Sequence, residues 1–164
     1  MESSQILALK SLLERQQVAS LATLHKGEPA VSMVPYALLP QGRGFLVHVS
    51  RLATHTADML ANPAVALLVV APPGSATSPQ ELHRASVQGC ARQCAGGSAE
   101  HSQARALYLA RFPPSEEMFG FPDFSLFVVE PRSVRFIGGF ARASSITAEE
   151  FSSIMSAPPH ENDA

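Results

Sequence analysis

The chain has 164 residues, 46% of them apolar, with 14 acidic and 12 basic side chains and a net charge of −2. That is enough for one domain with a real core, and the absence of a broad basic face excludes nucleic acid as an expected partner. The longest apolar run, AVALLVVA at 64–71, falls far short of the roughly 18 residues of a membrane-spanning helix. The N-terminus, MESSQILALKSLLERQQ, lacks the basic start and unbroken apolar stretch of a secretory leader. These features predict a cytoplasmic protein with no membrane association.

Taken in chain order, SSQILALKSLLER (3–15) places Ile6, Leu9, Leu12 and Leu13 at helical spacing and predicts an amphipathic helix. The period then changes. VASLATLHKGEPAVSMVPYAL alternates on both sides of HKGEP and predicts two strands joined by a tight turn at Gly27. GRGFLVHVS (42–50) is a third strand, and a short helix over 53–61 ends at Asn62-Pro63, since the residue before proline is driven out of helical geometry. VALLVVAPP is a fourth strand, PPGSATSPQE (72–81) a loop, and LHRASVQGCARQC a fifth strand.

SAEHSQARALYLARF (98–112) reads as a helix with Ser98 as its N-cap. After the loop PPSEEMFGFP, the stretch FSLFVVEPRSVRFIGGF is expected to form two strands separated by Glu130-Pro131. TAEEFSSIM opens with Thr147 three residues before Glu150, the pattern of a capping box. A single domain over 1–155 and a flexible tail over 156–164 follow from this order. Strands linked by short turns imply a mainly β domain with flanking helices, its antiparallel sheet closed or nearly closed into a barrel. FSLFVV, apolar at nearly every position, is expected to be buried on both faces, which suggests a partner subunit.

Cys90 and Cys94, four residues apart on a strand, would lie about 13 Å apart on one face, too far for a disulfide. Two reduced thiols are expected. The Rossmann, P-loop, zinc-protease and nucleophile-elbow signatures are all absent. The polar junction HVSRLATHTADMLANP (48–63) stands out. There Ser50, Arg51, His55 and Thr56 lie where an apolar strand turns into a helix, and a helix start favours an anion. The alternative is that Ser50 caps the helix while Arg51 and His55 simply face solvent.

The order of PAVSMVPYA, GFLVHVS, ATHTADMLANPAVALLV and RASVQG resembles the pyridoxamine 5′-phosphate oxidase-like FMN-binding split-barrel superfamily. SRLATHTADML, PDFSLFVVEP and GGFARA are most similar to its haem-utilisation, HugZ-like branch. The resemblance implies a six-stranded antiparallel split β-barrel and a homodimer with a small-molecule cofactor at the subunit interface. For FMN it implies contacts from Ser32, Met33 and Val34, from His48, Val49, Ser50 and Arg51, from His55 and Thr56, and from Arg84. Ser32 stands at the family's arginine position, Ala37 near its lysine, and His55 at its second lysine. Arg51 and Arg84 are therefore the full cations left for a phosphate. For haem it implies His160 as a candidate axial ligand assisted by Asp123. Three functions follow as expectations: an FMN-dependent oxidoreductase, a haem-binding or haem-utilisation protein, and a non-catalytic dimeric binding protein. An R-x-H near the C-terminus, carried by pyridoxamine phosphate oxidases proper, is missing.

Overall fold

In the computed structural model, which describes residues 1–139 and 142–157, one antiparallel sheet curls around an apolar interior. Its strands are β1 (Val18–His25), β2 (Glu28–Pro35), β3 (Ala37–Leu38), β4 (Phe45–Ser50), β5 (Ala64–Val70), β6 (Arg84–Gln93), β7 (Phe124–Ile137) and β8 (Ala143–Thr147). The helices are α1 (Ser3–Arg15), α2 (Thr54–Ala61), α3 (Ala99–Arg111) and α4 (Ala148–Ser156). Sheet order is β2-β1-β5-β6-β7-β4-β3, with β8 on the same edge of β7 as β4 and further along it. The two ends of this path come back together, since β2 packs beside β4. The architecture is a split barrel, with six main strands joined by the short β3 and β8.

Local chemistry explains most of the elements. The β1–β2 hairpin turns on Lys26 and Gly27, both at positive φ (53° and 87°), as a two-residue turn requires to match strand twist. Ser98 and Thr147 cap α3 and α4 through their hydroxyls, and Glu150 completes the capping box by accepting from the Thr147 N–H. Both cysteines are free thiols, Cys94 fully buried and Cys90 half-buried.

Two expectations are corrected. Glu130-Pro131 does not separate strands, because β7 runs unbroken for 14 residues. Gln88 pairs with Ser133 and Gly89 with Pro131, so Arg132 is the extra residue of a bulge. A bulge is where a strand tolerates a residue with no N–H to donate. Gly89 is needed opposite, since a Cβ there would lie 2.6 Å from the Glu130 carbonyl oxygen. FSLFVV, for its part, needs no second subunit to cover it. Phe127 and Val129 face the main core, while Leu126 and Val128 pack under α3 with Ala104 and Tyr108.

That division makes two apolar clusters. The main one fills the barrel with Phe45, Val47, Val49, Leu67, Val87, Phe136 and their neighbours, and α1, α2 and α4 pack against the barrel. The smaller one lies between β4, β7 and α3. The segment between α3 and β7, two 3₁₀ turns ending in Phe121 and Pro122, runs past the end of β4. It borders the junction singled out by the sequence.

Candidate functional site

The β4–α2 junction is built by the end of β4 and the start of β7. Ser50 pairs with Phe124, and its hydroxyl donates to Asp123 Oδ2 at 2.6 Å. The Arg51 N–H donates to the Asp123 carbonyl at 2.6 Å, and its guanidinium donates to the Pro122 carbonyl at 2.6 Å. Ser50 and Arg51 thus clamp the incoming chain of β7. Thr56 is fully buried, and its hydroxyl donates to the Ser50 carbonyl at 2.6 Å, which holds the turn shut. The first position of α2 has no side-chain cap, because its N-cap is Ala53.

At the second residue of that helix, His55 has a buried Nε2 with no partner among the described residues. Burial pulls its pKa below the usual imidazole value, against the pull of nearby Asp58, so the ring is neutral. On β2, which also packs beside α2, the Ser32 hydroxyl is likewise buried without a partner among the described residues. Its neighbours diverge: Met33 is largely exposed on the outer face and Val34 is buried in the main core.

His48 lies two residues before Ser50, on the same side of β4. It is 8% exposed, and its Nδ1 is buried with no hydrogen-bond partner among the described residues. The Phe119 ring stacks flat on it at 3.8 Å and 6°, Phe124 lies tilted at 5.1 Å, and Tyr108 meets it edge-on at 5.7 Å. Burial, assisted by His101, takes its pKa down to about 4, so this imidazole is a free base throughout the physiological range. Val49 points the other way, into the barrel core.

Arg84 does not join this group within one chain. It pairs with Ile137 at the far end of β7, whereas Ser50 pairs with Phe124 at the near end. Its guanidinium donates to the Gln80 and Leu82 carbonyls, each at 3.1 Å. Asp123 is at the junction as expected, already bonded to Ser50. His160 lies outside the described residues.

Sequence reasoning missed a cluster one turn further along α2, centred on Asp58. Asp58, 5% exposed, accepts from Thr23 Oγ1 at 2.9 Å and meets His25 Nδ1 at 2.8 Å. Thr23 and His25 are two apart on β1 and so share a face, which is the one local signal available. Nothing near Asp58 announces a partner more than 30 residues away. The three tie α2 to the first hairpin.

The curled sheet, the α2 crossover and the helix over the second cluster define an FMN-binding-type split barrel. The sequence profile of the pyridoxamine 5′-phosphate oxidase family matches residues 7–138, and the chain belongs to that family. Among solved structures, a haem-binding protein of Mycobacterium smegmatis superposes with a TM-score of 0.82 at 29% identity, over 93% of this chain and 61% of that one. HutZ of Vibrio cholerae, described as a haem storage protein, shares the fold with a TM-score of 0.70 at 24% identity, over 76% of this chain and 88% of that one. A curated relative is the chloroplastic haem oxygenase HOZ of Arabidopsis thaliana, 33% identical over 127 residues. That match takes in 77% of this chain and 37% of the plant protein, so the chain spans well under half of that relative. These similarities agree with the HugZ-like branch of the superfamily. Among the described residues no helix is long and apolar enough to cross a membrane.

Proposed function

We propose that the chain is a haem-binding protein of haem utilisation, working as a homodimer, and that FMN-dependent oxidoreduction is the second reading. The observation that carries this choice is the state of the cations. A phosphate dianion draws most of its affinity from charge-assisted bonds, worth about 1.5 to 3 kcal/mol each. Ser32 and Ala37 stand where the family has cations, His55 is neutral, and Arg84 is committed to loop carbonyls at the other end of β7. Among the described residues Arg51 is then the one full cation at the α2 junction.

A neutral imidazole, aromatic rings and one cation suit a flat, apolar, dianionic macrocycle better. The haem-related relatives at 33% and 29% identity support the same choice. Bound haem supplies iron-centred redox chemistry, while the protein orients it and limits access of water. The FMN reading draws its support from Ser32 Oγ and His55 Nε2, two buried polar atoms without partners near the uncapped start of α2.

Support for the dimer comes from the outer face of the barrel. Met33, Ser20 and Leu68 form one cross-strand row over β2, β1 and β5, with Val31 and Val70 nearby, and the four large apolar side chains are exposed. Contiguous apolar surface of this kind marks an association face.

Hemin added to the purified full chain should give a sharpened, shifted Soret band that saturates near one haem per chain. FMN added in parallel should keep its free fluorescence. Flavin retained through purification, with no haem-induced Soret change, would reverse the assignment. A monomer mass by light scattering at micromolar concentration would remove the dimer.

A further inference from the structure

A cavity of about 600 Å³ opens between α3, the end of β6, the middle of β7 and the 3₁₀ turn Pro40–Gly42 that leads into β4. Its size is that of a small-molecule site. The floor is apolar, made by Leu39, Ala104, Leu107 and Val128 at the open margin of the cluster under α3. None of its lining belongs to the β4–α2 junction or to the outer row of Met33, Ser20 and Leu68.

Two arginines line this cavity, and they differ in how their charge is spent. Arg92 is locked: its Nη1 and Nη2 donate to the two Glu100 oxygens at 2.9 and 2.7 Å, and its Nε donates to Glu130 Oε1 at 3.1 Å. Two carboxylates against one guanidinium leave that group with an excess of negative charge. Arg43 is unspent. Its Nε reaches the Pro40 carbonyl of its own turn at 3.4 Å, and its terminal nitrogens have no partner among the described residues. The backbone that carries it is nevertheless fixed. Gln41 stands at φ 61° and Gly42 at φ 64°, the Ser152 hydroxyl of α4 donates to the Gln41 carbonyl at 2.9 Å, and a Cβ on Gly44 would lie 2.7 Å from Val128 Cγ1. A residue other than glycine keeps a positive φ only where its surroundings hold it there, and such positions cluster at ligand clamps.

We propose that this cavity binds a small monocarboxylate with an apolar body, its head on Arg43 and its carbon chain on Leu39, Leu107 and Val128. A guanidinium fork matches a carboxylate through two parallel hydrogen bonds. The excess negative charge around Arg92 repels a dianion such as phosphate, so a head of single charge is favoured. An ammonium head finds no unspent oxygen on Glu100, since Arg92 takes both. The apolar floor gives a bare ion nothing to gain and rewards a body of carbon. The site stands apart from the haem reading, and either can fail without the other.

Octanoate is the probe, titrated by calorimetry into the full haem-free chain, with octanol and octylamine as matched controls. One octanoate should bind per chain, more tightly than either control. Arg43 is exposed, so its variants should fold as the wild type does, which circular dichroism checks. Arg43→Gln should weaken octanoate about tenfold, the worth of one charge-assisted hydrogen bond, and leave octanol unchanged. Arg43→Lys should keep part of the affinity, and Arg43→Glu should turn the preference toward octylamine. Gln103→Trp, on the exposed face of α3 that borders the cavity, should fill the space and weaken octanoate and octanol together. Equal affinity for octanoate and octanol overturns the proposal, as does octanoate binding that survives both Arg43→Gln and Gln103→Trp. Failure of all three probes to saturate at millimolar concentration overturns it too. Because hemin is absent throughout, none of these outcomes bears on the haem reading.

Discussion

The two sides of β4 differ in kind. Phe45, Val47 and Val49 enter a core in which every neighbour is apolar, and Phe45 sits between Tyr36 at 5.5 Å and the stacked ring of Phe151 at 6.2 Å. Leu46, His48 and Ser50 face the other way, toward α3 and the 113–123 segment. There the packing becomes steadily more polar toward the end of the strand. One face is specified by shape and the other by partners, and only the second has a group left without one. The contrast sets a fully apolar face and a partly polar one on opposite sides of a single six-residue strand.

The largest expected effect lies on the barrel side. Phe45→Ala should cost about 3 to 5 kcal/mol of folding stability, as for other fully buried phenylalanines. Urea unfolding measures this directly, and a loss below half that range would show that the core collapses around the gap. On the other face, Asp123→Ala removes the acceptor of the Ser50 hydroxyl in a part-buried site. The cost should fall toward the lower end of the about 1.5 to 3 kcal/mol typical of a hydrogen bond to a charged group. Because Arg51 bonds to backbone carbonyls at 122 and 123, those two contacts should survive the change.

Asp58 gives the comparison a pH axis. The hydrogen bond from His25 is the main reason its carboxyl is held below the usual carboxylate range, with Thr23 adding to the effect and burial opposing it. A depressed acid stabilises the fold above its unfolded value near about 3.9 and loses that contribution as pH falls through the folded value. Asp58→Asn should therefore be less stable than the wild type at pH 7, with the gap closing in acid. Urea midpoints at pH 7, 5 and 3 measure it, and a gap independent of pH would mean that the His25 and Thr23 contacts do not depend on the charge.

How far the sequence reveals this arrangement depends on the range of the interaction. Turns, caps and alternation are local, so α1, the hairpin at Gly27, α2, the Ser98 cap and the Thr147–Glu150 box all follow from neighbouring residues. The continuity of β7 through Pro131 does not, because the bulge that accommodates it depends on Gly89 in another strand. Of the β4–α2 junction, the sequence marks the right residues but not their commitments. Ser50 looks available for an anion until Asp123, some 70 residues away, takes up its hydroxyl, while Arg51 keeps its charge and has only one guanidinium N–H placed on Pro122. Thr56 looks like a ligand hydroxyl and is instead a buried brace. The Asp58 cluster has the same cause, since burial and pairing at long range leave no periodic trace.

The smallest effect has the opposite sign from the others. An unpaired buried polar group costs a fold about 1 to 3 kcal/mol, less whatever the stack on Phe119 returns. His48→Phe replaces the orphaned nitrogen with a ring of similar shape that can keep the offset contacts with Phe124 and Tyr108. The haem-free variant should be more stable than the wild type by about 1 kcal/mol, the remainder going to fitting a larger ring into a close-packed nest. On β4, an unpaired buried nitrogen on the α3-facing side alone is the pattern expected where a binding group is kept despite its cost to the fold. Equilibrium urea unfolding of the haem-free proteins decides the point. A variant less stable than the wild type would mean that the imidazole is already paired in solution, and the asymmetry between the two faces of β4 would then be one of packing alone.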